Sequence, residues 1–519
     1  MTGVSKISGD SLRSSKSAAR EAVFVAACLC LLAACAVLWC FHRGYILYYG
    51  DAQAHLNLSR NVIDSRTPGS DSLGTVWLPL LHILSLPLVA NDWLWSTGLA
   101  GSIPAALCFV VAGTCFYLAA RDAYGSPLAA AVVVSCFALN PNVLYLASIP
   151  MTEIVFSAGL ALFLFALLRF RITQSNRLLA LGIVASVAMS LTRYDGWFLI
   201  PFAASAFAFF ARAHRWRTLF IFGSLASLAP LYWFAHNWWV IGSALDFYKG
   251  PYSAAAIQGA RTYPGDHNWL LAAAYYAKAG QLCAGWPLLL LGVAGIVCAV
   301  KKRASVPALF LLLIPIFYVW SIHSGVTPVF VPQLEPHSYY NCRYGIAVVV
   351  LAAFAAGAIV LVLPARWKRW AIILPLLSIA PWVLRPSQEN WICWKESQVN
   401  SELRRAWTLP AAQFLSTHYR SGEGILIASA SGDVAGILCQ ARIPFRESIN
   451  VYNGPAWFAN TRRPDLVHQA LWAVARPGDP VSKAISRDAA RTYQLREEIQ
   501  VGRAPAMRIY RRIDVKTNE

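Results

Sequence analysis

Charge is what this sequence has least of. Asp, Glu, Lys and Arg make up 13% of its 519 residues, about half of the ~25% typical of a soluble domain. The few ionisable residues avoid the interiors of the apolar runs. Hydrophobic residues reach 57% and mean hydropathy is +0.49. That balance excludes a disordered chain, a coiled coil and an ordinary soluble enzyme. Familiar motifs are missing too. The twelve cysteines contain no Cys-x-x-Cys and no Cys/His cluster at zinc spacing, so no metal site is assigned. There is no Gly-x-Gly-x-x-Gly and no phosphate-loop motif, so no nucleotide site is assigned. No internal repeat is visible, which weighs against inverted-repeat transporter folds.

What is present is a series of apolar runs of about twenty residues, the length that crosses a hydrocarbon core of ~30 Å. Eleven spans are predicted, at 22–41, 96–120, 127–147, 152–168, 178–192, 196–211, 217–241, 284–300, 305–323, 344–363 and 370–384. The run 76–89 is shorter and broken by Pro79 and Pro87, and reads as a helix lying at the interface. With the N-terminus in the cytoplasm, the cytoplasmic pieces hold 17 Lys/Arg in 49 residues, and the external loops hold 8 in roughly 120. Positive-inside topology thus accounts for the net charge of +19, and no nucleic-acid partner is needed. Residues 1–21 read as a cytoplasmic tail and 22–384 as a transmembrane domain with a first external loop at 43–95. The odd span count puts 385–519 outside, as a small extracytoplasmic α/β domain. Its helix is expected at about 396–419, strands at 424–430, 469–476 and 505–512, and a second helix at 433–440. Most cysteines lie in apolar runs and act as small hydrophobes; Cys393 and Cys439 fall in the polar part, where pairing is open.

The long loops face outward, so the chemistry is expected there. Asp51 follows the first span in YYGDAQAHLNLSR (48–60), and in a helix Asp51 and His55 share a face. An acid held there can take a proton from an incoming hydroxyl, or can simply favour a helix start. Glu153 sits where a span begins, in NPNVLYLASIPMTE (140–153), and is either functional or a cap. Arg193 and Asp195, in LTRYDGW (191–197), can pair within a tight turn. Arg343, in HSYYNCRYGIAVVV (337–350), is an external cation just before a span. It runs against the positive-inside bias, and it either binds a lipid phosphate, a fitting partner for a guanidinium, or snorkels to the outer-leaflet headgroups.

Taken together and in order, YYGDAQAH, WLPLLH (77–82), NPNVLY…TE, LTRYDGW and YYNCRYG (339–345) resemble the GT-C superfamily of membrane glycosyltransferases. The nearest branch is that of the bacterial dolichyl-phosphate-mannose–protein mannosyltransferases and aminoarabinose transferases. The resemblance covers about residues 1–385. It implies an all-α polytopic membrane fold and transfer of a sugar from a polyprenyl-phosphate donor to a lipid, glycan or protein acceptor, in what is expected to be a bacterial inner membrane. It also implies Asp51 as catalytic carboxylate and Arg343 near the carrier phosphate, with His55, Glu153, Arg193, Asp195, Tyr339 and Tyr340 in support. Many relatives carry two adjacent acids in the first loop, whereas Asp51 here is followed by Ala52. No metal ligand carries over, and a divalent metal stays an open option. The rival readings are a polyprenyl-linked glycan flippase and an O-antigen ligase or polymerase. The first suits poorly a chain whose spans lack ion-coupling residues, and the second a chain whose external loops are poor in Arg and Lys.

Overall fold

Helices stand at every one of the eleven predicted spans, but they differ in reach. The computed structural model describes residues 3–513 apart from 252, 260–261, 429–433, 435, 466–468 and 489–491, with side chains from residue 17 onward except 255 and 258. Seven helices are long and apolar enough to cross a membrane: Ser17–His42, Leu99–Tyr124, Thr152–Thr173, Arg215–Ile241, Trp269–Lys301, Val306–His323 and Cys342–Leu361. Pro127–Ala138 and Pro141–Ala147, bent by 69°, make an eighth if taken as one broken span. The other three expected spans are shorter: Asn176–Ser190, Tyr194–Phe210 and Ile373–Leu384. At 1.5 Å per residue, helices of 12 to 17 residues reach only ~18–26 Å. Among the described residues the expected eleven therefore becomes seven or eight by length. The segment read as interfacial is the helix Leu80–Val89, which buries Leu81, His82, Ser85 and Val89 against the helices Gly50–Ile63 and Leu99–Tyr124.

The first span leaves most of its surface uncovered, with Val23, Phe24, Leu31 and Leu38 exposed. Leu99–Tyr124 and Thr152–Thr173 form the most extensive helix pair, and the core condenses around them.

One break explains a misplaced boundary. The helix Trp269–Lys301 contains Gly285 at φ 73° and Pro287 two residues on, so the expected span at 284–300 is only its second half. Pro287 has no N–H to give the carbonyl four residues back, that of Cys283. The Asn140 and Asn142 side chains donate to that carbonyl at 3.0 and 3.1 Å. In an apolar setting a freed carbonyl must find such a donor, and this is what the NPN sequence at 140–142 supplies. Asn142 Oδ1 in turn accepts from the backbone N–H of Cys393 at 3.0 Å, tying in the start of the helix Ile392–His418.

The C-terminal part forms a five-stranded sheet of order β2-β1-β3-β5-β4, with β1 Ile425–Ile427, β2 Ser448–Ile449, β3 Trp472–Ala475, β4 Tyr493–Ile499 and β5 Met507–Arg512. β1 runs parallel to β2 and β3, and β5 antiparallel to β3 and β4. The three expected strands are β1, β3 and β5; residues 429 and 430 of the first lie outside the described residues. β4 (YQLREEI) was missed because its middle is charged and exposed. The helix expected at 433–440 is Ile437–Ala441, residues 433 and 435 lying outside the described residues. Cys393 and Cys439 are both buried free thiols, not partners. The sheet domain docks on the first loop. Asp64 accepts from Arg446 Nη1 at 2.9 Å and from the Phe445 N–H at 3.2 Å, and Arg66 donates to the carbonyls of Ser448 and Gln469.

Gly345 lets the turn Cys342–Gly345 lie flat on Trp269–Lys301: a Cβ there would meet the Ala279 carbonyl oxygen at 2.4 Å. Gly345→Ala is expected to cost about 1–3 kcal/mol of stability, read as a lowered melting temperature of the purified protein. Gly223→Ala, whose Cβ would have 3.9 Å of clearance, should lower it little.

Candidate active site

Asp51 in Gly50–Ile63, Glu153 in Thr152–Thr173 and Asp195 in Tyr194–Phe210 each lie in the first turn of a helix. Negative charge is favoured at each of these positions by the free N–H groups of the helix start. The tertiary fold turns all three starts toward two arginines.

Arg343 is the centre. Its Nη2 donates to Asp51 Oδ2 at 2.6 Å, its Nε to Glu153 Oε1 at 3.1 Å and its Nη1 to Glu396 Oε1 at 2.9 Å. Arg193 shares Glu153 Oε1, at 3.1 Å, and donates to Asp195 Oδ1 at 3.2 Å, to Thr152 Oγ1 and to the Tyr318 hydroxyl. Tyr318 passes its own hydrogen to Asp195 Oδ2 at 2.9 Å. The Tyr344 ring lies against both guanidiniums, 4.7 Å from Arg193 and 5.3 Å from Arg343, and Tyr49 lies 5.2 Å from Arg343. The pairing of Arg193 with Asp195 is present, and Glu153 is held by two arginines rather than acting as a cap.

Exposure separates the members. The side chains of Glu153, Glu396 and Asp195 are 1–3% exposed, whereas that of Asp51 is 41% exposed. Asp51 is thus the carboxylate of this network that an incoming group can reach. A further cation, Arg404, lies behind Gly50 and donates to the Tyr48 carbonyl at 2.9 Å. Burial, with Arg405 beside it, pulls its pKa down to about 10.

Not every expected residue joins in. His55 turns its ring to His82, Nδ1 to Nε2 at 2.8 Å, and lies on Trp77 with ring centres 4.2 Å apart. Burial pushes its pKa down to about 3, with Arg343 and Arg193 adding to the effect. It is therefore a neutral ring and does not supply Asp51 with a cation. The Tyr339 carbonyl accepts from Asn400 Nδ2, and Tyr340 pairs through its backbone with Phe330, while burial pushes its hydroxyl up to about 12 with Tyr344, Asp51, Arg343 and Glu396 nearby.

Glu396 is the acid of the network that sequence reasoning missed, as it also missed Tyr318 and Tyr344. Glu396 accepts from the backbone N–H groups of Asn341 and Arg343, at 3.0 and 3.2 Å, and from the Arg343 side chain. Burial pushes its carboxyl above the usual range, against the pull of Arg343. Its neighbours, WICWKESQ (391–398), carry no signal beyond a polar helix in which a glutamate is ordinary. Among the described residues no group of three His, Cys, Asp or Glu side chains is arranged to hold a metal ion.

No protein-family model matches the chain, and neither does any curated protein. Solved structures do. ArnT from Cupriavidus metallidurans in the apo state superposes with a TM-score of 0.51 at 14% identity, over 88% of this chain and 93% of that one. The Archaeoglobus fulgidus oligosaccharyltransferase, solved with Zn and sulfate, gives 0.47 at 13% identity, over 87% and 68%. At such identity the likeness to ArnT is one of fold alone.

Two outcomes follow from the network. Glu396→Gln breaks a buried ion pair, which costs about 3–5 kcal/mol, and should lower the melting temperature far more than Glu389→Gln, whose pair with Lys395 is half exposed. The histidine pair makes stability pH-dependent. Burial holds both rings below the ordinary value of 6.5, so the unfolded chain binds more protons below that pH. Stability is then full above about pH 6.5 and falls as pH drops toward 3. Melting curves from pH 7.5 to 5 should show that fall, and His82→Gln should make it shallower.

Proposed function

We propose, from the fold shared with ArnT and the order of sequence motifs, that the protein is a membrane glycosyltransferase of the GT-C type. It moves a sugar from a polyprenyl-phosphate donor to an acceptor hydroxyl on the extracytoplasmic face, with inversion. The observation that supports this most is the contact of Asp51 with Arg343 at 2.6 Å: a reachable carboxylate beside a guanidinium, at the start of a helix. The count of Lys and Arg in the loops supports an inside N-terminus, the bonds of the sheet domain to the first loop support an outer position for that domain, and the resemblance to bacterial transferases supports a bacterial inner membrane.

In the proposed step the acceptor oxygen forms a bond to the anomeric carbon as the bond from that carbon to the phosphate oxygen breaks. The bonding electrons leave with the carrier phosphate, and Arg343 offsets the charge that develops there. The acceptor proton passes to Asp51 and then to solvent. The products are a glycosylated lipid, glycan or protein and the free polyprenyl phosphate. Glu153, Glu396, Arg193 and Asp195 hold Arg343 in place. The activated donor arrives in the membrane, so no nucleotide is invoked.

A radiolabelled polyprenyl-phosphate sugar tests the reading. Release of free carrier phosphate marks transfer, and translocation without release marks a flippase. Asp51→Asn should cut release by a factor of about 10²–10⁴, and Asp71→Asn, an exposed acid of the same loop, should not. Full release from Asp51→Asn would remove Asp51 as the base.

A further inference from the structure

We propose that Asp51 occupies the phosphate subsite of the empty protein, and that the donor phosphate takes its place on Arg343 Nη2, releasing Asp51 to act as base. This rests on the carrier-phosphate reading above and deepens it.

The argument begins with which side of Arg343 is open. Nε is taken by Glu153 and Nη1 by Glu396, and both carboxylates are almost fully buried. Glu396 is further fixed by two backbone N–H groups. Tyr49 and Tyr344 lie against the guanidinium. Displacing either buried acid would strand a charge away from water, which is strongly unfavourable. Nη2 alone faces a partner with solvent access, the 41% exposed side chain of Asp51. An anion approaching Arg343 therefore meets Asp51 first, and Asp51 can be rehydrated when it leaves.

Charge points the same way. Asp51, Glu153, Asp195 and Glu396 face Arg343 and Arg193, with Arg404 behind Gly50. The four carboxylates outnumber the two guanidiniums they bond, so neither Arg343 nor Arg193 has positive charge to spare, and Arg404 is turned to the Tyr48 carbonyl and the Ser401 hydroxyl. A phosphate added beside Asp51 would meet like charge, whereas one that replaces it keeps the guanidinium paired.

An inverting transfer favours the exchange. The anomeric carbon must lie between the attacking oxygen, with its base, and the departing phosphate oxygen. A carboxylate in contact with the very guanidinium that holds the phosphate is on the wrong side of that carbon. Once displaced, Asp51 has its lone pairs free for the acceptor hydroxyl, and it becomes free only when donor is present. A base engaged by its own phosphate-binding arginine in the empty protein is thereby kept from activating water.

The test is binding of undecaprenyl phosphate to the purified full-length protein in nanodiscs, followed by calorimetry, with undecaprenol as the uncharged comparison. Asp51→Asn is expected to bind undecaprenyl phosphate at least about tenfold tighter than the unaltered protein, although it turns over more slowly, and undecaprenol should show no gain. Asp51→Ala should show the same gain. In an Arg343→Ala background the gain should vanish. Equal or weaker binding by Asp51→Asn overturns the exchange and leaves the carrier reading intact. A gain that persists without Arg343 shows general charge repulsion and also overturns it. Saturable binding by neither the unaltered protein nor Asp51→Asn overturns the carrier reading itself.

Discussion

One guanidinium holds four distant stretches of the chain together. Arg343 bonds Asp51 from the first loop, Glu153 from the start of a central helix, and Glu396 from the helix that leads into the sheet domain. A side chain only 10% exposed stays charged in such a place only if its partners stay charged and aligned around it. The rest of the site is arranged to meet that condition. Arg193 steadies Glu153 from the far side, Tyr318 and Thr152 complete the bonds of Arg193, and two tyrosine rings cover the planar faces.

Helix breaks supply the geometry. A polytopic chain can bring helix N-termini to a common depth only where helices begin there, and each of these beginnings carries an acid. The free N–H groups of the helix starts favour those carboxylates, and the carboxylates need the arginines. The kink at Gly285 and Pro287 serves the same centre. Its freed carbonyl is bonded by Asn140 and Asn142, and Asn142 also anchors the helix that carries Glu396. A backbone defect far from Arg343 in sequence thus sets the position of one of its three ligands.

The C-terminal part is accordingly more than an appended tail. Its leading helix contributes Glu396 and Arg404, and its sheet is bonded to the first loop through Asp64 and Arg66. Asp51 lies on the helix that ends at Asp64. Docking of the domain therefore constrains both the reachable carboxylate and the buried one that flank Arg343.

The sequence by itself determined the class of the protein and most of its charged centre. In a chain so poor in charge, Asp51, Glu153, Arg193, Asp195 and Arg343 stand out because burying an unpaired charge at a span edge is costly, and chance placement is therefore rare. The apolar runs marked where helices form. They did not mark how far each helix reaches, because run length counts hydrophobic residues while a turn such as 191–193 or a kink at Gly285 is decided by local backbone and packing. Glu396 was illegible because it lies in a polar helix, where charge carries no information; only folding brings it to Arg343. His55 shows the converse. Its spacing from Asp51 is helical as expected, but rotamer and burial turned its ring to His82 instead. Periodicity decides which face a residue shares, and the tertiary structure decides what that face meets.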